Sequence, residues 1–527
     1  MSSQGSHHGH SFQRGLLEGI QRTTEFGRFG RLFPKLKPFV AGSDALKALA
    51  DTMRDDSSTS ALTSDNQNIP AGYTYLGQFI DHDITLDVTP LGAIENDPAA
   101  VVDFRTPRLD LDSVYGMGPT ATPNLYDRLD PNKLAVGRCG PGGAGDAKVK
   151  AGLPNDLMRN REGMALLGDP RNDENLIVAQ THLAFIKFHN AVVDRLAAAG
   201  NVPAAKIFDT ARQQVLWHYQ WIVLHDFLDR IIDFNDVQDV LTNGRKFFKY
   251  EQCSAFNVPF MPVEFSAAAY RLGHSMVREK YSHNRAFNDT DFNLLFHFTA
   301  ASGGIVGDLL STDQDANRKL AEQLKLLLPF VVDKLPGDWA IDWHRFYELG
   351  APKPPPAGAG SQDNKFRLNL SRALDPYLAP ILHNLPGGAG SLPFRNLSRG
   401  VQLGLPSGQD VAAAMHVRPL SPEQIARSGP DGAKAHDLGL DRATPLWYYI
   451  LKEAQLRGEG RRLDGVGSRI LAEVFVGLLQ ADKESFLNQQ PAWKPTLPAA
   501  QPGTFTMPDL LRLVNDLDPI NEPSTFA

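Results

Sequence analysis

The chain has 527 residues, 42% hydrophobic and 21% charged, enough to bury a large core in one oversized domain or a few ordinary ones. A net charge of −7 and the lack of any long lysine or arginine run give no basic field for nucleic acid. Two cysteines, Cys139 and Cys253, allow one bridge at most and no cysteine-rich metal site, which points to a reducing compartment.

Taken in chain order, the N-terminal "MSSQGSHHGHSFQRG" lacks the apolar core of a signal peptide, and its His7, His8 and His10 read as a flexible polar tail. "GQFIDHDITLD", Gly77 to Asp87, sets Asp81, His82 and Asp83 in a row among apolar residues. Successive side chains on a helix point about 100° apart, so these three need three different partners. "TPRLDLDSVYG", from Thr106, offers an oxygen at every second residue: the Thr106 hydroxyl, a carbonyl near Arg108, then Asp110 and Asp112. A hard cation such as calcium takes six to eight oxygens, and Asp83 could complete such a set.

"GRCGPGGAGDAK" reads as a surface loop. The runs from Leu176, Lys206, Thr312 and Gly467 carry apolar residues at three- and four-residue spacing and predict helices. Within them His189 reads as structural, and His218 and His225, seven apart, have no ligand between them. "GAPKPPPAGAGSQDN" and "NLPGGAGSLP" are further loops. Ser421 with Gln424 predicts a capping box, and Thr506 predicts the N-cap of a late helix. "GVGSRI" lacks the third glycine of a dinucleotide fingerprint and follows no strand. Alternating strand patterns are scarce, and there is no repeat, no clean domain boundary and no stretch with the apolar length of a membrane span. The expected class is mainly α.

Five motifs, "GQFIDHDIT", "TPRLDLDSVYG", "GDPRNDEN", "YRLGHSMV" and "LPFRNLSRGVQLGLP", occur in the order and approximate spacing of the animal-type haem peroxidases. The chain resembles a bacterial-type member of this peroxidase-cyclooxygenase superfamily from about Gly72 to about Gln480. The resemblance implies the haem peroxidase fold of the animal type, a single large helical domain around a buried haem. It would span 71–527, with 1–70 as an extension partly flexible and partly wrapping it.

Residue by residue, the resemblance implies His82 as the distal acid–base histidine, Arg171 as the distal arginine and Gln78 beside the distal water. His274 would ligate the haem iron, with Asn396 accepting a hydrogen bond from its other ring nitrogen. Asp81 and Glu174 would form ester links to a haem b. Arg271 and Arg399 would pair with propionates, although surface ion pairs are an alternative for both. Asp83, Thr106, Asp110, Asp112 and the Arg108 carbonyl would hold calcium. Asn175 stands where myeloperoxidase has a methionine, so its third haem link is not expected, and Asp112 replaces a usual serine.

The function so implied is reduction of hydrogen peroxide through a ferryl intermediate, then oxidation of a small-molecule electron donor: an aromatic, thiocyanate or an easily oxidised halide. The alternative is a haem-dependent fatty-acid dioxygenase. In those relatives a radical tyrosine stands three residues before the proximal histidine, whereas here that position is Arg271 and Tyr270 lies four before. Calcium favours an extracellular setting and the N-terminus a cytoplasmic one, so location stays open, as does oligomeric state.

Overall fold

A computed structural model of the chain describes residues 27–55, 64–86, 102–143, 145–161, 163–252, 259–291, 294–295, 334–350, 366–385 and 390–521. The helix expected from Thr312, Cys253 and most of the loop after Gly350 lie outside the described residues.

Helix α1, Gly72–Ile84, buries almost every side chain it has, because it is closed in from several sides. On one side lies α2, Leu176–Ala199. Asn175 starts α2: its Oδ1 accepts from the amides of Ile177 (3.1 Å) and Val178 (3.0 Å), and Gly200 ends it with φ +64°. By length and composition α2 could cross a membrane, yet its most apolar window is wholly buried, so it is the central core helix. Phe79 of α1 stacks on Phe185 of α2, centroids 4.7 Å apart and planes 7° apart. Burying each ring contributes roughly 2–3 kcal/mol, which fixes the rotation of α1 about its axis.

The run from Lys206 forms α3, Ile207–Ile222, then a π turn, Val223–Phe227, then a last helical turn, Leu228–Ile231. The π turn sets Phe227 into the wall of the cavity described below and holds buried Asp226, which accepts the Tyr73 hydroxyl of α1 at 2.8 Å. Helices α4 (Leu392–Gln402), α5 (Leu446–Leu456) and α6 (Gly465–Ala481) pack in succession, α4 on α5 and α5 on α6, while α7 (Met507–Val514) lies on α2. Both expected caps form: Ser421 with Gln424, and Thr506 with Asp509. At "GVGSRI" the Glu453 carboxylate accepts the Val466 amide (2.8 Å), so an anion of the chain itself occupies this helix start.

Strands are short. Gly27–Gly30 pairs antiparallel with Val102–Asp103 and parallel with Met261–Pro262, which ties the early chain to both halves of the helical body. Asp65–Pro70 pairs with Leu370–Arg372, and Lys280–Tyr281 with Thr290–Asp291. The architecture is a mainly α single domain.

Candidate active site

A cavity of about 510 Å3 opens between α1, the turn before α2, the segment around His274 and α4. Apolar side chains such as Phe227, Val263, Leu382 and Leu392 form much of its wall. The three consecutive residues of α1 part as their helical spacing requires. Asp81 and His82 line the cavity, while Asp83 is fully buried and bonded to Tyr219 (3.1 Å) of α3.

His82 Nδ1 lies 2.8 Å from Asn172 Oδ1, an atom that can only accept, so Nδ1 carries the proton and Nε2 holds the lone pair. Nε2 makes no hydrogen bond among the described residues. Asn172 in turn donates through Nδ2 to His182 Nδ1 (3.0 Å). Burial, helped by the nearby Arg171 charge, pushes the His82 imidazole down to about 3, which keeps it neutral.

Arg171 sits in a 3-10 turn, Pro170–Asp173. Its Nη2 donates to the carbonyls of Thr85 (2.6 Å) and His82 (3.1 Å) and to Asp169 (2.7 Å), leaving Nη1 without a partner among the described residues. The pairing with Asp169 coexists with a place in the cavity wall, while Asp173 is held by Arg159 at 2.7 and 2.9 Å. Asp169 is wholly buried, yet Arg105 and Arg171 hold its carboxyl far below the usual range, against burial.

Glu174, Gln78 and Asn175 form one polar strip of the wall. Gln78 donates to Glu174 Oε1 and accepts from Asn175 Nδ2 (3.1 Å). Burial pushes the Glu174 carboxyl up to about 7 and raises that of Asp81, which accepts the Thr85 hydroxyl at 3.0 Å. Both carboxyls are held above their ordinary range, chiefly by burial.

His274 opens a short helix, Gly273–Met276, that packs on α1. Its Nδ1 lies 2.8 Å from Asn396 Nδ2 of α4, and its Nε2 makes no hydrogen bond among the described residues. Here the amide donates, the reverse of the expected polarity. A half-turn of the amide exchanges its nitrogen and oxygen in place and presents the acceptor that an iron-bound Nε2 requires. Arg271 makes no ion pair among the described residues; its Nε donates to the Ser266 carbonyl (2.9 Å), and it lines the cavity with Arg399 and Arg395.

The ligand atoms of Asp83, Asp110 and Asp112 all lie within 4.8 Å of one another. Asp83 Oδ1 is buried with no hydrogen-bond partner, and burial with the two neighbouring carboxylates raises the Asp83 carboxyl well above its usual range. The Thr106 hydroxyl donates to Asp110 (3.0 Å), and the Arg108 carbonyl accepts no hydrogen bond among the described residues. Three converging carboxylates, Asp83 fully buried with an orphaned oxygen and Asp110 and Asp112 half-buried, fit a divalent oxygen-loving cation.

The sequence reading missed Asn172, Arg105 and Arg395. Asn172 and Arg395 lie inside two of the five motifs, next to Arg171 and Asn396, and a polar side chain beside a site candidate was the available signal; nothing in the sequence ties Arg105 to the site. His189 is a satisfied core residue between the Tyr115 hydroxyl (3.0 Å) and the Asn132 carbonyl (2.8 Å). Tyr270 lines the cavity and donates to the Gly77 carbonyl at 3.1 Å.

The sequence model of the animal haem peroxidase family matches residues 89–305. A dual oxidase of Drosophila melanogaster is 26% identical over 121 residues, a segment covering 23% of this chain and 7% of that protein. Peroxidase A from Dictyostelium discoideum superposes with a TM-score of 0.53 at 15% identity, over 95% of this chain and 92% of that one. Fatty acid alpha-dioxygenases from Oryza sativa and Arabidopsis thaliana both give 0.54 at 14% identity, over 92% and 93% of this chain and 78% and 79% of theirs. These likenesses show the animal haem peroxidase fold. Residues 89–305, less than half of the chain, match the animal haem peroxidase family, whose members are oxidoreductases that use haem.

Proposed function

We propose that the protein is a haem peroxidase that reduces hydrogen peroxide and oxidises small aromatic donors, thiocyanate or easily oxidised halides. The observation that carries this is a pair of histidines, buried His82 and half-buried His274, on different elements of one cavity. Each has Nδ1 held by an asparagine and Nε2 without a hydrogen-bond partner among the described residues. That arrangement suits one ring as iron ligand and the other as base. The apolar wall and the guanidiniums of Arg271, Arg395 and Arg399 fit a flat hydrophobic group with two carboxylates. Haem, when bound, supplies the electron chemistry. His82 Nε2 takes a proton from peroxide and returns it to the departing oxygen, and Arg171 stabilises negative charge as the O–O bond breaks.

Calcium in the Asp83, Asp110 and Asp112 cluster, with Thr106 and the Arg108 carbonyl, would hold the residue next to His82. Asp81 and Glu174 are candidates for ester links to the haem.

The second reading, a fatty-acid dioxygenase, draws on Tyr270, whose phenol lies in the cavity wall. The test is product analysis of the haem-loaded protein. Peroxide is supplied with bromide, iodide, thiocyanate or a phenol, and separately oxygen with linoleate. Donor oxidation supports the peroxidase; oxygenated lipid without peroxide turnover decides for the dioxygenase.

A further inference from the structure

Arg105 is a buried cation that touches both the acidic cluster and the arm that holds Arg171. Its Nη1 donates to Asp112 Oδ1 (2.8 Å), and its Nη2 contacts Asp169 Oδ2 (2.6 Å) and the Gly168 carbonyl (3.0 Å). Asp169 grips Arg171, whose Nη2 reaches back to the His82 carbonyl at 3.1 Å. The side chains of Arg105 and Asp169 are 7% and 0% exposed, so water screens this chain of alternating charges poorly.

We infer that Arg105 is a positioning residue that couples occupancy of the cation cluster to the placement of Arg171. The inference rests on the peroxidase reading and on calcium in the acidic cluster. Two features of the chain carry it. A carboxylate has two oxygens, and Asp112 gives Oδ1 to Arg105, which leaves Oδ2 for a cation; a serine at this position would bring a single uncharged oxygen to both. With a cation bound, Asp83, Asp110, Asp112 and Asp169 carry four formal negative charges, and Arg105 and Arg171, the two guanidiniums paired with Asp112 and Asp169, offset two of them. The deficit equals the charge of one divalent cation. Without that cation the Asp112 carboxylate draws Arg105 more strongly and loosens its hold on Asp169, and through Asp169 the seat of Arg171. This route is separate from the covalent adjacency of Asp83 to His82.

Cyanide binding to the ferric haem-loaded protein reads the cavity without catalytic turnover. With calcium bound, Arg105→Gln should weaken cyanide about tenfold, a coupling of ordinary size. In an Arg171→Gln background the same change should alter the affinity by less than about twofold, because the effect passes through Arg171. Chelation of calcium should weaken cyanide less in Arg105→Gln than in the wild type, the remainder being carried by Asp83, and Arg105→Lys should restore part of the response. Asp112→Ser cuts the link at its other end and should shrink the chelation response equally, which decides the matter if Arg105→Gln does not fold. Additive effects of Arg105→Gln and Arg171→Gln, or an undiminished chelation response in a variant that still binds calcium, overturn the coupling alone. A wild type that takes up no calcium by metal analysis overturns the cation reading, and the coupling with it.

Discussion

His82 and Asn172 are joined by a 2.8 Å hydrogen bond in which the imidazole Nδ1–H donates to the amide oxygen, and this bond decides which ring nitrogen faces the cavity as a base. His82→Ala should slow the reaction with peroxide by about two orders of magnitude or more, the usual size of acid–base assistance, while haem is retained. Asn172→Ala should slow it less, by about tenfold, because the ring remains but its tautomer is no longer fixed. Stopped-flow absorbance of the haem band measures both. A His82→Ala protein that reacts at the wild-type rate removes His82 from the mechanism.

The pH profile follows from the same ring. Burial lowers the imidazole to about 3, so protonation is disfavoured and the free base persists down to acidic pH. The peroxide rate constant should therefore stay level from about pH 8 down to about pH 5, where an unperturbed histidine with pKa near 6.5 would lose activity. The stability sign runs the opposite way to a paired histidine's. The unfolded chain binds the proton that the folded ring refuses, so stability is present above about 6.5 and declines as pH falls below it. A rate that halves near pH 6.5 would mean that the ring is solvated in the working protein.

His274→Ala should abolish or scramble haem uptake, seen as loss of the haem band after reconstitution. Asn396→Asp tests the contact behind the ring. A carboxylate can only accept from Nδ1–H, raises ligand basicity and should shift the iron midpoint potential to more negative values, whereas Asn396→Ala should shift it upward. A potential unmoved by either substitution would show that Asn396 does not support the iron ligand.

Several of these relationships were legible in the sequence and others were not, for physical reasons. Helical angular spacing alone separates Asp81, His82 and Asp83, and the serine and threonine caps at Ser421 and Thr506 are local chemistry. Helix α2 was legible from its apolar spacing, since it is central and buried all round. The π turn at Val223–Phe227 was not, because one extra residue in a helical turn leaves the apolar pattern almost unchanged. Arg105 and Asn172 gain their roles from partners far along the chain, Asp169 for the first and His82 for the second, and no spacing rule announces such contacts.

Calcium removal is the next test. Asp83 adjoins His82 on α1, and its Oδ1 has no hydrogen-bond partner among the described residues, so a bound cation would anchor the end of the helix that carries the base. Stripping the metal should lower the melting temperature by several degrees and reduce peroxidase turnover, and Asp83→Asn should mimic both effects. A demonstrably metal-free protein with unchanged melting temperature and turnover would rule the site out.

Haem attachment through Asp81 and Glu174, and through no third residue, is the last expected outcome. Burial raises both carboxyls, Glu174 to about 7, so each is poised to stay dry against a hydrophobic group, where an ester resists hydrolysis. Each link would join a carboxylate oxygen to a haem methyl carbon. The methyl and the carboxyl lose two hydrogens between them, and one peroxide accepts these to become two waters. Asn175, spent on capping α2 and on Gln78, offers no sulfur for a further bond. After mild peroxide treatment, acid–butanone extraction should leave haem on the wild-type protein, and mass spectrometry of a digest should find it on peptides containing Asp81 and Glu174. Asp81→Ala with Glu174→Gln should release all of it, and each single variant should keep one link. Complete extraction from the treated wild type would mean that these carboxyls only hydrogen-bond or pack in the cavity, and haem retained by the double variant would move the attachment to other residues.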